Sequence, residues 1–144
     1  KSLAATVVAS RISKPIVTLT DFKTIIAAHI PKGKENKYMA QVFQALRIEV
    51  NAEIEVLESF LAQTASVLKP GGRLVVMSYH SLEDRPVKSF LAKGKFRGEV
   101  EKDFFGNQQK PFNVITRKAI VATDEEIAQN NRARSAKLRI AEKK

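Results

Sequence analysis

An apolar run that ends abruptly in polar residues constrains this fold more than any other feature of the sequence. The helix breakers at 70–72 (PGG) precede the run 74–77 (LVVM), and the polar segment 78–85 (SYHSLEDR) follows it. A continuous apolar run of this kind is typical of a β-strand that is buried on both faces. Because open α/β sheets bind ligands beyond the carboxyl ends of their strands, we predict an α/β fold with a site just after residue 78.

Helical periodicity dominates the part of the chain before this strand. The spacing of apolar residues predicts a helix over 2–13, a short helix over 22–30 after cap-type residues, and a long helix over 39–68. The long helix divides in two if Asn51 breaks it. The polar loop 31–38 between the second and third helices is the best internal boundary.

After the strand, helical and β-branched patterns alternate. Pro86 is tolerated only in the first turn of a helix, so the next helix should begin near Asp84 and end near Lys93. Further along, the pattern predicts an edge strand over 100–105, a strand over 112–121, a short helix capped by Thr123 and a last strand over 136–141.

The composition points to an anionic partner. The 144 residues carry 25 lysines and arginines against 15 aspartates and glutamates, a formal net charge of +10. Such an excess favours a nucleic-acid ligand, although a soluble basic protein without one has the same charge. The absence of cysteine excludes disulfides and cysteine-based metal sites and fits a cytoplasmic location. No apolar run approaches the roughly 20 residues that span a bilayer, so we expect no membrane partner.

The polar segment after the strand offers several groups to a ligand. His80 can bind or handle a proton at the crevice, or it can be satisfied by local backbone. Ser81 and Asp84 have the S-x-x-D spacing of a helix cap, which competes with a role in a site. Glu83 and Arg85 can pair with each other or face a substrate. The density of polar residue types favours a site but names no reaction.

Two further groups of residues are candidate ligands for phosphates. Arg132, Arg134 and Lys137 belong to a strongly basic segment, which can hold phosphates or protect a sheet edge. Gln44 and Arg47 lie one turn apart on the predicted long helix, where they can reach one ligand together or simply face solvent.

The sequence lacks the motifs of several common kinds of site. Gly71 and Gly72 precede a strand instead of joining a strand to a helix, so they do not form a phosphate-binding glycine loop. His29 and His80 are isolated from each other and from other metal-ligand residues, and no G-x-S-x-G motif suggests a hydrolase. The residues alone therefore leave an enzyme and a binding module both open.

Three stretches together resemble a known enzyme family. They are 43–51 (FQALRIEVN), 68–88 (LKPGGRLVVMSYHSLEDRPVK) and 131–143 (NRARSAKLRIAEK). They are similar to the C-terminal half of the bacterial 16S ribosomal RNA (cytosine-N4)-methyltransferases, which methylate a cytidine of the small-subunit decoding centre with S-adenosylmethionine. The resemblance covers 39–144 well and 1–30 more loosely.

The resemblance implies a fold and a division into domains. Residues 1–37 would be part of a helical insertion that recognises the substrate, and 38–144 would be the C-terminal half of a Rossmann-like, S-adenosylmethionine-dependent methyltransferase domain. The three main strands would be the fifth, sixth and seventh of its sheet, with the seventh inserted antiparallel. The cofactor-binding motifs would lie upstream of Lys1, so we expect no cofactor-binding residues in this chain.

The resemblance also implies roles for the candidate residues. His80, Ser81, Glu83, Asp84 and Arg85 would line the crevice where the target base enters, and the basic candidates would contact ribosomal RNA in the small ribosomal subunit. An exocyclic amine attacks the methyl group directly, so the protein chiefly positions it and needs no metal. Two other hypotheses stay open: a non-catalytic basic RNA-binding α/β module, and a fragment that is stable only through self-association, for example as a homodimer.

Overall fold

The computed structural model describes residues 2–144, which form two compact units that divide after Asn51. From the sequence we predicted a boundary after Lys37 instead. The polar loop is shorter than predicted because the third helix begins at Glu35, and this helix stays with the N-terminal unit. The assignment of residues 1–37 to an inserted domain remains a prediction.

Over residues 2–51, the N-terminal unit consists of three α-helices and a short 3₁₀ turn. Thr18 and Asp21 cap the second helix reciprocally: the Thr18 hydroxyl accepts the Asp21 N–H at 3.1 Å, and the Thr18 N–H donates to the Asp21 carboxylate at 3.0 Å. The first predicted helix is confirmed, whereas the second, predicted over 22–30, begins at Leu19 and ends at Ile26. The elements are α1 (Ser2–Ser13), α2 (Leu19–Ile26), the 3₁₀ turn Ala27–His29 and α3 (Glu35–Val50).

The C-terminal unit is an α/β domain with a three-stranded sheet. Its elements are α4 (Glu53–Val67), β1 (Arg73–Ser78), α5 (Ser81–Lys93), β2 (Phe112–Val114), α6 (Asp124–Gln129), the 3₁₀ turn Asn131–Ser135 and β3 (Lys137–Lys143). The strand order is β1-β3-β2, and β3 runs antiparallel to both neighbours. This reversed middle strand confirms the antiparallel insertion that the resemblance implied.

Helices α4 and α5 cover the face of the sheet that carries Leu74 and Ala141. The core of this face contains the fully buried side chains of Leu61, Val87, Leu91 and Phe112. On the opposite face, Val75 and Met77 are 54% and 53% exposed. Within the described residues, the outer edge of β1 pairs with no other strand. Among the described residues, the edge of the sheet at β1 is therefore open and lies next to an exposed apolar face.

The long helix predicted from the sequence is two helices. Ala52, between α3 and α4, has a left-handed backbone conformation with φ of 48°. A right-handed α-helix cannot continue through such a residue. The alternative that the helix breaks at Asn51 is therefore confirmed.

Helix α5 begins at Ser81, earlier than the start near Asp84 that we predicted. Pro86 consequently lies in the second turn, where it removes the backbone hydrogen bond to the carbonyl of Leu82. The side chain of Leu82 is 49% exposed, so this part of the helix faces solvent, and water can donate a hydrogen bond to the carbonyl of Leu82. The early start is set by His80, which caps the helix.

The segments after α5 form less β-structure than predicted. β2 ends at Val114, and the hydroxyl of Thr116 then accepts the N–H of Ile140 at 2.9 Å, a bond that a strand would make with its backbone. The chain returns to the sheet at Ile120 through an isolated bridge. In place of the predicted edge strand over 100–105, the structure has a turn closed by a single bridge.

Candidate functional site

The carboxyl end of β1 is built by its pairing with β3. Ser78, the last residue of β1, lies opposite Lys137, and Val76 lies opposite Arg139. Directly paired residues share a face, so both basic residues lie on the face that α5 covers. Ser78 is 3% exposed, and its hydroxyl has no hydrogen-bond partner among the described residues. Polar groups of both strands therefore lie beneath the start of α5; we call the surface formed by residues 78–85 the β1 crevice.

His80 and Glu83 hold each other at the start of α5. His80 is the N-cap, and its Nδ1 accepts the N–H of Glu83 at 3.4 Å. A neutral imidazole that accepts at Nδ1 carries its proton on Nε2, and this atom lies 3.2 Å from Glu83 Oε1. The other carboxylate oxygen of Glu83 accepts the N–H of Tyr79 at 2.9 Å. A carboxylate and an imidazole are thus fixed together in the β1 crevice.

Asp84 is buried against β3. Its carboxylate accepts hydrogen bonds from Arg139 Nε at 2.6 Å and Arg139 Nη2 at 3.0 Å, and Lys137 Nζ lies 3.5 Å away. The hydrogen bonding by Arg139 is the main reason that the pKa of Asp84 lies below its ordinary value. The side chains of Asp84 and Arg139 are only 12% and 10% exposed, so this carboxylate is committed to the protein interior.

These contacts decide between alternatives that the sequence left open. His80 is the cap and Ser81 is exposed, so the S-x-x-D cap predicted for Ser81 and Asp84 does not form. Glu83 pairs with His80, whereas Arg85 is exposed on the surface. The structure therefore brings His80, Glu83 and Asp84 together and leaves the other two candidates toward solvent.

The candidate arginines lie in the 3₁₀ turn that leads into β3. Arg132 and Arg134 are exposed, whereas Ala133 between them is 6% exposed and anchors the turn. Because β3 starts opposite the last residue of β1, this turn lies next to the end of β1. Lys137, the third basic candidate, is partly held by Asp84.

Gln44 and Arg47 lie one turn apart on α3, in the N-terminal unit. Gln44 is half-buried and Arg47 is exposed. Their contact with RNA remains a prediction.

Arg139 is the residue of this site that the sequence analysis missed. Its signal is its position in an apolar strand, between Leu138 and Ile140, because an arginine buried there needs a carboxylate partner. The partner, Asp84, is 55 residues away in the chain. No local pattern connects residues at that separation.

The turns that join a strand to a helix within residues 2–144 contain no glycine. Rossmann-like folds bind nucleotide-like cofactors at a glycine-rich turn between a strand and the following helix. The turn between β1 and α5 contains no glycine, and Gly71 and Gly72 lie before β1.

Residues 2–144 contain no group of three or more histidine, aspartate or glutamate side chains placed to hold a metal ion. Over the same residues, no helix has both the length and the apolarity to cross a membrane.

A mixed α/β domain whose reversed last strand lies between two others, with polar residues at a strand end, is consistent with the C-terminal part of an S-adenosylmethionine-dependent methyltransferase domain. The profile of the MraW methylase family matches residues 1–144. The chain belongs to this family, which confirms the resemblance found in its sequence.

Curated relatives carry the name ribosomal RNA small subunit methyltransferase H. The protein of that name from Parabacteroides distasonis is 56% identical over 143 residues, which are 99% of this chain and 47% of the relative. The one from Flavobacterium johnsoniae is 55% identical over 141 residues, which are 98% of this chain and 46% of the relative. The chain therefore spans about half the length of the curated relatives it matches.

Proposed function

We propose that the complete protein methylates the exocyclic N4 amine of a cytidine in small-subunit ribosomal RNA, with S-adenosylmethionine as the methyl donor. Membership of the MraW methylase family and the name of the relatives support this function. Within this chain, one observation carries the proposal. His80 and Glu83 are fixed together at the carboxyl end of β1, where α/β sheets place their ligands.

In this proposal the chain orients the target base. The side chain of Glu83 is 30% exposed, so its Oε1 can accept a hydrogen bond from an amine while Oε2 stays on the N–H of Tyr79. His80 Nε2 lies 3.2 Å from the same oxygen without hydrogen-bond geometry, and the N–H of Tyr79 keeps the carboxylate in place. Holding a nucleophile in a reactive orientation is the main contribution that a protein makes to a direct displacement.

Asp84 acts by positioning in this proposal. Its pairing with Arg139 fixes the first turn of α5, from which Glu83 projects. Ser81 and Arg85 are exposed on the same turn and stay candidate contacts of the substrate.

The exposed arginines beside the crevice give the RNA backbone a place to bind. Arg132 and Arg134 would contact phosphates, which position a nucleic acid but carry no sequence information. Lys137 would add to the local positive charge although Asp84 partly neutralises it. The target base must be unstacked from the folded RNA before it can reach Glu83.

The organisation of the complete protein is part of the proposal. We assign residues 1–37 to a helical insertion and 38–144 to the methyltransferase domain. Cofactor binding is assigned to the part of the relatives that this chain does not span. A cytoplasmic location follows from a ribosomal substrate. In the 144-residue chain by itself, the open edge of β1 provides a surface for a homodimer.

A non-catalytic RNA-binding module is the second candidate. The net charge of +10 supports RNA binding by such a module. The two candidates differ in what the complete protein does to RNA that it has bound.

The deciding experiment incubates the complete protein with S-adenosylmethionine and small ribosomal subunits that lack the modification. Nucleosides from the digested RNA are then separated by mass spectrometry. The methyltransferase proposal expects N4-methylcytidine at one position, and its yield should fall in a Glu83→Gln variant. Bound RNA without any methylated nucleoside would favour the non-catalytic module instead.

A further inference from the structure

Two adjacent phenylalanines stand out on the surface of the C-terminal unit. Phe104 and Phe105 are 98% and 86% exposed, more than any other large apolar side chain among the described residues. They lie between α5 and β2, in the turn formed by residues 103–107, which we call the Phe turn. Contiguous apolar groups on a protein surface mark interaction sites more often than scattered ones do.

The Phe turn is held in one conformation by its own hydrogen bonds. The carboxylate of Asp103 accepts the N–H groups of Phe105 at 2.9 Å and Asn107 at 2.8 Å, and the side-chain amide of Asn107 at 2.9 Å. The N–H of Asp103 donates to the carbonyl of Asn107 at 3.0 Å, and Gly106 adopts the positive φ that this closure requires. The two rings are therefore displayed by an ordered turn.

The surroundings of the Phe turn are basic. Residues 93–110 carry five lysines and arginines against three acids. Glu101 pairs with Lys95, so these two charges cancel, and four lysines and arginines remain against two acids. Lys102 directly precedes the turn and is exposed. A partner that approaches the two rings therefore meets excess positive charge.

We propose that Phe104 and Phe105 stack on unpaired bases of the RNA substrate. Exposed aromatic rings beside lysine and arginine are how proteins bind single-stranded RNA, because every base has a flat face and every linkage a negative phosphate. The two rings stand at 88° with centroids 5.6 Å apart, so a base that stacks on one ring meets the other at its edge. This inference rests on the proposed function, to which it adds a contact outside the β1 crevice.

The test compares an aromatic with a non-aromatic replacement in the complete protein. The probe is a fluorescein-labelled single-stranded oligoribonucleotide, titrated at several salt concentrations. Phe104→Leu should weaken binding by about 5- to 160-fold, because base–aromatic stacking contributes that much. Phe104→Tyr should retain binding, because it keeps the ring. Neither variant should change the salt dependence, because stacking releases no counterions.

A matched control and a stability measurement separate this contact from a packing role. Val121→Ala removes apolar surface at another exposed position, 61% accessible, and should leave RNA affinity unchanged. Equal RNA affinity of Phe104→Leu and the wild type would overturn the inference and leave the proposed function intact. A loss in Phe104→Leu that accompanies a lower Tm would also overturn it, because the ring would then pack against protein. A wild-type protein that binds no RNA would overturn the proposed function itself.

Discussion

Arg139 donates two hydrogen bonds to Asp84, of 2.6 Å and 3.0 Å, and so joins the central strand β3 to the first turn of α5. Both side chains are nearly buried, and α5 carries Glu83 directly before Asp84. The pair therefore fixes the start of α5, which carries Glu83, the residue proposed to bind the substrate. Its energetics can be measured independently of any activity.

The first prediction concerns the coupling between these two residues. Removal of one member leaves the other buried without its partner, which costs about 3–5 kcal/mol in such pairs. Asp84→Leu should therefore lower the free energy of unfolding strongly, and Arg139→Met somewhat less, because Lys137 is already 3.5 Å from the carboxylate. The double variant should lose less than the sum of the two losses. Urea unfolding measures all three, and strictly additive losses would contradict a direct interaction.

The second prediction is the acid sensitivity of the same pair. Arg139 holds the pKa of Asp84 below the 3.8 of a free aspartate. Because the pKa is lower in the folded state, the ionised carboxylate stabilises the folded protein at pH values above 3.8. This stabilisation is lost as the pH falls through the folded-state pKa. The stability advantage of the wild type over Asp84→Asn should therefore shrink as the pH is lowered below about 4. Free energies of unfolding at several pH values test this. The control is Asp124→Asn, the same substitution at an exposed aspartate.

The sequence allowed β1, β3 and the first helices to be predicted because each depends on its own hydrophobic pattern. The end of β2 could not be predicted, because it depends on a bond between the hydroxyl of Thr116 and the N–H of Ile140. These residues are distant in the chain, and threonine is otherwise a favourable strand residue. The missed element boundary is thus a tertiary effect.

The candidate site was predictable to a similar extent. The apolar run followed by polar residues correctly predicted strand β1 and its polar end, whereas the partners of the polar side chains depend on tertiary contacts. The S-x-x-D spacing suggested a cap at Ser81, whereas the cap is the imidazole of His80. The carboxylate of Asp84 is then free to meet Arg139 on a strand 55 residues away. Local spacing cannot indicate which of several acids a distant arginine will bind.

The third prediction concerns Glu83 in the β1 crevice. In the complete protein, Glu83→Gln keeps an oxygen for the N–H of Tyr79 but loses the negative charge beside His80. We expect a lower kcat with unchanged RNA affinity, because a group that orients the base acts in the transition state. Glu55→Gln, the same change at an exposed position on α4, should leave kcat unchanged. Equal activities of the two variants would remove Glu83 from the proposed site.

The fourth prediction concerns the open edge and face of the sheet. Val75 and Met77 are about half exposed on β1, whose outer edge is unpaired among the described residues. Exposed strand edges with apolar side chains favour association between copies. We expect the 144-residue chain to self-associate in sedimentation experiments and Met77→Lys to reduce this association. Val17→Lys, at an exposed position between α1 and α2, should not. A monomeric chain at high concentration would contradict the prediction.

The fifth prediction concerns Arg134. Arg134 is exposed beside the end of β1. Among the described residues, no ion pair joins it to Glu125 or Glu126 across the turn. In the complete protein, Arg134→Ala should weaken RNA binding and reduce the slope of log affinity against log salt by about 0.7–0.9, the value for one phosphate contact. Turnover at saturating RNA and the Tm should stay unchanged.

The matched control for Arg134 is Arg73→Ala at the opposite end of β1. Arg73 is exposed too, but its guanidinium lies 3.7 Å from Glu142, away from the crevice. Exposed pairs of this kind contribute little to stability, so the control should alter neither the Tm nor the salt slope by much. If Arg134→Ala instead lowers the Tm and leaves the salt slope at its wild-type value, Arg134 stabilises the turn and does not bind phosphate. A phosphate contact and a structural contact thus predict opposite changes in two independent measurements.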